Sequence, residues 1–73
     1  MLIYKTEEQP GYGKQKNYHW DEYHLERDTV VKYRCHRYKL FDGRENTWEY
    51  EESKEESWNI NSPDFPKWLK NYL

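Results

Sequence analysis

The stretch VVKYRCHRYKLF (Val30–Phe41), DG (Asp42-Gly43) and RENTWEYEES (Arg44–Ser53) reads as a single β-hairpin. Asp-Gly between two β-prone runs is a turn signal with a mechanism: a type I′ turn needs positive φ at both central positions, and Gly supplies one of them without steric penalty. Closing the loop there sets Cys35 opposite Tyr50, Arg34 opposite Glu51 and His36 opposite Glu49. Tyr33, Cys35, Trp48 and Tyr50 then share one side of the ribbon, and charged residues line the other. A slip of one residue would mix the two kinds of side chain on both faces.

The flanking segments extend this ribbon into a sheet. Leu2–Thr6 is a short apolar and β-branched run, followed by Gln9-Pro10-Gly11-Tyr12-Gly13, whose Pro and two Gly demand a turn or loop. Tyr18–Arg27 is ambiguous. Tyr18 and Trp20 alternate, then the phase shifts to Tyr23 and Leu25, which a strand with a bulge near Asp21-Glu22 explains better than a helix. A three-residue loop, Arg27-Asp28-Thr29, would pair Leu25 with Val31 and Tyr23 with Tyr33. After Ser53, Lys54-Glu55-Glu56 reads as a charged connection. Asn61-Ser62-Pro63-Asp64 then reads as a helix start, with a cap, a proline in the first turn and an acid near the positive end. That helix would carry Phe65, Trp68, Leu69 and Tyr72 or Leu73 on the face that covers Tyr33, Trp48 and Tyr50.

The expected architecture is therefore mainly β (α+β): one small domain over residues 1–73, an antiparallel meander of three or four strands with one short C-terminal helix. Composition agrees. Leu, Ile, Val and Phe number only 11, about 15 %, but the chain carries eight Tyr, four Trp and two Phe and contains no Ala. Each aromatic buries roughly 150–250 Å², so a few of them replace many absent aliphatic residues, and the core is expected to be aromatic. Cys35 is the sole cysteine, so no internal disulfide forms, which fits a reducing compartment. The first residues hold no signal-peptide core or membrane span, and the chain is read as a cytoplasmic protein without membrane association.

The residues suggest four kinds of site. Lys32, Arg34, Arg37 and Lys39 stand on one strand with Tyr33 and Tyr38 interleaved, the residue mixture of a sheet that binds single-stranded nucleic acid. Against it, Glu45–Glu56 carries six Glu and one Lys beside that strand, and cross-strand pairing cancels the field. Arg37 and Lys39 are the exceptions, expected opposite Trp48 and Asn46. His19, His24, Cys35 and His36 are zinc-ligand types, but adjacent Cys35 and His36 point to opposite faces of a strand, so neither a metal nor any other cofactor is expected. The same geometry removes Cys35–His36 as a nucleophile and base. With no phosphate loop, no nucleophile elbow and little volume for a pocket of several hundred Å³, an enzyme is not expected.

The remaining reading is an exposed aromatic surface. A sheet under one short helix hides one face, so Tyr4, Tyr12, Tyr18 or Tyr38 stay accessible, and Tyr and Trp beside Arg is the composition of protein-interface hot spots. The expected function is a non-enzymatic binding or regulatory module acting by protein–protein contact through an aromatic-rich sheet, with Arg37, Tyr38, Lys39, Tyr18 and Tyr12 as binding residues. The alternative is a single-stranded nucleic-acid-binding sheet. A third reading is homodimerisation through an unpaired edge, with Leu2–Thr6 the most exposed candidate.

Overall fold

The computed structural model describes the backbone of residues 1–13, 16–41 and 46–73. Five antiparallel strands form one sheet: β1 (Leu2–Lys5), β2 (Gln9–Pro10), β3 (Asn17–Glu26), β4 (Thr29–Phe41) and β5 (Asn46–Asn59). The order is β1-β3-β4-β5, with β2 bonded to β3 beside β1. A six-residue 3₁₀ helix, η1 (Lys67–Tyr72), closes the chain. No helix among the described residues is long and apolar enough to cross a membrane. The meander with one short C-terminal helix follows the expectation, with β2 as an additional two-residue strand.

The hairpin register differs from the expected one. Cys35 pairs with Glu52, Arg34 with Ser53 and His36 with Glu51, and Phe41 pairs with Asn46. The Asp42-Gly43 turn itself lies outside the described residues. The reason is contained in the period of a strand: a shift of two leaves every side chain on its own face, so the hydrophobic pattern cannot detect it. Strand β5 also runs on through Lys54-Glu55-Glu56 to Asn59, rather than ending in a charged connection. The lower half of β4 would otherwise lack a partner; Thr29, Val30 and Val31 pair with Asn59, Trp58 and Ser57. An irregularity between Lys32 and Tyr33 absorbs the change of step.

Strands β3 and β4 are joined by the two residues Arg27 and Asp28, not three, and the register moves by one. Tyr23 meets Lys32, Leu25 meets Val30, and Trp20 meets Cys35. No bulge breaks β3 against β4; pairing is continuous from Asn17 to Glu26, and the irregularity sits instead on the other flank, between Leu2 and Tyr4 of β1. Arg27 adopts φ +59, a left-handed conformation that Arg rarely takes and that its sequence does not announce. An unbroken β3 sends Trp20 and Tyr23 to opposite faces, so each side of the sheet receives its own aromatic centre.

The core lies on the Tyr23 side. Tyr23, Val30, Phe65 and Leu69 are buried together, with Ile3, Tyr4, Leu25, Trp58 and Ile60 packed around them. Chain exit from β5 dictates this choice. Ile60 N–H bonds the Asp28 carbonyl at 2.8 Å, tying the segment after β5 to the β3–β4 turn, next to Val30 and Trp58. Asn61-Ser62-Pro63-Asp64 forms turns rather than a helix start: Ser62 Oγ accepts the Asp64 N–H at 3.2 Å and Ser62 O accepts the Phe65 N–H at 3.1 Å. Pro66, at ψ 127, is extended, and its ring disfavours a helical Phe65, so the helix begins only at Lys67. The C-terminal segment thus covers Tyr23 and Val30. Tyr33, Trp48 and Tyr50, expected beneath it, lie on the other face, and Trp68 remains 44 % exposed with its ring edge-on to Tyr4 and Tyr23, each at 5.2 Å.

Candidate functional site

The face opposite the core is built in rows by the two registers. One row runs Tyr18, Arg37, Tyr50; the next runs Trp20, Cys35, Glu52; Lys39 and Trp48 continue the first row's side toward the far end of the hairpin. Three strands therefore deliver four aromatic rings and two cations to one surface. Arg37 is held in the middle, its guanidinium carbon 4.9 Å from the ring centres of both Tyr18 and Trp48. Its Nη2 donates to Glu8 Oε2 at 2.9 Å, while its Nε is enclosed and donates no hydrogen bond. Planar delocalised charge between two π faces is the geometry in which Arg gains most from cation–π attraction. Lys39 Nζ stands 5.9 Å from the Trp48 ring.

Deeper in the same band, Trp20 is buried, Lys5 Nζ caps its ring at 4.9 Å, and its indole N–H donates to Glu22 Oε2 at 2.6 Å. Tyr50 extends the cluster with its ring 6.0 Å from that of Trp20. The Tyr50 hydroxyl donates to Glu52 Oε2 at 2.9 Å and lies 3.5 Å from Cys35 Sγ. Burial pushes the Cys35 thiol above its usual range, with the carboxylates of Glu22 and Glu52 acting in the same direction against the hydroxyl of Tyr50. Tyr50 is raised as well, through its bond to Cys35, burial and Glu52. Burial also opposes ionisation of Glu22, but hydrogen bonds from Trp20 and His24 outweigh it and hold that carboxyl below the ordinary value. Trp48 and Tyr50 stay accessible, 46 % and 53 % exposed.

Of the five residues singled out from the sequence, Tyr18, Arg37 and Lys39 come together here. Tyr38 projects from the opposite face, stacked on His36 at 5.2 Å with its hydroxyl donating to Glu51 at 3.2 Å. Tyr12 is fully exposed in the loop before β3 and stands apart from the band. Arg37 does not stand clear of carboxylates as expected, because Glu8 reaches it from the β1–β2 connection. Its partners in the register are also shifted, so that Arg37 faces Tyr50 and Lys39 faces Trp48. Lys32 and Arg34 meet acids on both sides: Glu55 at 3.1 and 3.7 Å, and Asp21 at 4.0 and 3.8 Å. Trp48, Tyr50, Trp20 and Glu8 were not singled out. Parity alone sets Trp48 and Tyr50 beside Arg37 and Lys39, so the first two were within reach of the sequence; Glu8 was not.

The other titratable groups are dispersed. His24 Nε2 contacts Glu22 at 2.9 Å, His19 faces His36 across β3 and β4, and Cys35 and His36 point to opposite faces. Among the described residues no three His, Cys, Asp or Glu side chains converge as metal ligands do. Two open depressions, about 450 and 270 Å³, lie along Arg34, one toward His36, Glu51 and Ser53 and the other toward Thr6, His19 and Asp21. The larger exceeds the pocket volume expected of so small a chain, but it is wide and open, and charged or polar residues line it. Comparison of the chain with protein-family models, curated proteins and solved structures found no match.

Proposed function

We propose that this protein is a non-enzymatic binding or regulatory module of the cytoplasm that contacts a partner protein through the band Tyr18, Arg37, Trp48, Tyr50 and Lys39. One observation carries the reading: Trp48 and Tyr50 are half exposed around an Arg already fixed between two rings. Trp, Tyr and Arg are the residues that dominate interface energetics. Here the Arg side chain is ordered before any partner arrives, so little rotamer entropy remains to be lost on binding.

Single-stranded nucleic acid is the second reading, favoured by Lys39 over an exposed Trp48 ring. Charge speaks against it: Glu8 neutralises Arg37, Glu52 flanks Tyr50, and the net charge of −2 gives no attraction toward a polyanion. Affinity capture from lysate with and without nuclease, using the natural chain and a Trp48→Ala/Tyr50→Ala variant, separates the two. Capture of protein that survives nuclease and is lost in the variant is expected. Nuclease-sensitive capture puts the nucleic-acid reading first, and capture unchanged by the double substitution removes the aromatic band as the surface.

A further inference from the structure

The sheet ends on two unequal edges. On one side β1 offers four residues and β2 two; on the other β5 offers fourteen, and no strand lies beyond it among the described residues. Successive backbone groups of a strand point alternately to its two neighbours, so half of the N–H and C=O groups of β5 face away from β4 toward solvent. Residues 47–57 are exposed throughout. Five of the β5 side chains are Glu (49, 51, 52, 55 and 56) and one is Lys54. Only Glu55 among these acids is ion-paired within the described residues, with Lys32 and Arg34. Glu51 and Glu52 accept tyrosine hydroxyls. The two faces of the edge also differ. Glu49 and Glu51 stand with Tyr38 and His36 on one side, and Trp48 and Tyr50 stand with Lys39 and Arg37 on the other.

We propose that the β5 edge takes up, by strand addition, an extended segment of a partner protein in which Lys or Arg alternates with apolar residues. The inference deepens the protein-contact reading by naming the partner's chemistry, and rests on it. In strand addition, main-chain bonds supply affinity and alternate side chains supply specificity. An added strand projects every second side chain to the same face. Its cations therefore lie along Glu49 and Glu51, and its apolar residues extend the surface of Trp48 and Tyr50. A second copy of this chain fits badly, because β5 laid against β5 opposes one acidic row to another, and like charges directly opposite destabilise a pair. The acidic edge thus excludes its own kind while leaving its backbone open to a basic strand.

The test uses the full chain, isotopically labelled, titrated with a peptide alternating Lys with Val and Thr, and with its Glu-for-Lys counterpart. Amide shifts concentrated in residues 46–59, and slowed hydrogen exchange at alternate β5 amides, are expected with the Lys peptide alone. A Glu49→Lys/Glu51→Lys variant that keeps a dispersed spectrum is expected to bind about tenfold more weakly, since two cross-strand charge pairs are lost. Binding without slowed exchange at β5, shifts that map elsewhere, equal binding of the Glu peptide, or self-association through β5 each overturns the inference. If the peptide leaves β5 unchanged while lysate capture still depends on Trp48 and Tyr50, the edge inference falls and the aromatic-face reading stands. If the peptide adds to β5 while capture ignores those residues, the reading of the face falls instead.

Discussion

Cys35 and Tyr50 illustrate how burial and neighbours act on single groups. Both have their acidic groups raised above ordinary values, 9.0 for the thiol and 10.0 for the phenol. A raised folded-state value means that the fold favours the neutral form. That contribution is fully present below the ordinary value and is lost as pH rises past it. Chemical-denaturation midpoints are therefore expected to hold from neutral pH to just below 9.0 and to fall above it, with a shallower fall in Cys35→Ala. A flat alkaline profile would show that these groups titrate alike in both states. Arg27 is a second residue with a definite cost, since its φ of +59 lies in the left-handed region. Relieving such a conformation gains up to about 1–2 kcal/mol for an L-residue, partly offset by the freer unfolded chain of glycine. Arg27→Gly is thus expected to raise the melting temperature by a few degrees, on the scale of about 4–8 °C per kcal/mol for a small domain. An unchanged or lower midpoint would place the turn's constraint elsewhere.

At the scale of elements, three strands are clamped by one side chain. Arg37 of β4 lies between Tyr18 of β3 and Trp48 of β5. A double-mutant cycle on Arg37→Ala and Trp48→Ala is expected to give a coupling of about 0.5–1 kcal/mol, the range for accessible cation–π pairs; additivity would mean that the contact adds nothing to folding. This clamp also marks how far the sequence could be read. The period of two assigned Arg37, Lys39, Trp48 and Tyr50 to one face, because faces follow from parity alone. The register was not legible, since the shift that brings Arg37 to Tyr50 preserves every parity. Strand β3 failed for a different reason. Its change of phase after Trp20 suggested a bulge, whereas the sheet has apolar centres on both faces and needs none. Which face the C-terminal segment covers depended on the Ile60–Asp28 bond and on where β5 ends, neither of which leaves a local mark in the sequence. Glu8 illustrates the same limit at the site, since it meets Arg37 across 29 residues of chain.

The whole molecule is long and unevenly supported. Its extents are 50 × 20 × 16 Å, with a radius of gyration of 15.4 Å, against about 11 Å for a compact chain of this length. Such a shape cannot enclose one central core. Instead the buried cluster of Tyr23, Val30, Phe65 and Leu69 sits at the end where η1 packs, and the far half of the β4–β5 ribbon carries mostly exposed side chains. Stability is expected to follow that gradient, because regions with few buried apolar contacts open locally at lower free energy. Leu69, wholly buried, and Trp68, 44 % exposed, probe it from adjacent positions. Leu69→Ala is expected to cost about 2–5 kcal/mol, a large part of a small domain's stability. Trp68→Ala is expected to cost less, since the residue is already 44 % exposed and its contacts to Tyr4 and Tyr23 are edge contacts. Removing the chain after Ser62 strips Phe65 and Leu69 together, leaving a bare sheet that is marginal on its own. That truncated chain is expected to lose its dispersed amide spectrum. Hydrogen exchange in the intact chain is expected to protect amides of Val30 and Val31 more strongly than those around Tyr38 and Trp48. Uniform protection along the ribbon, together with a folded truncated chain, would mean that strand pairing rather than the C-terminal cover holds the sheet.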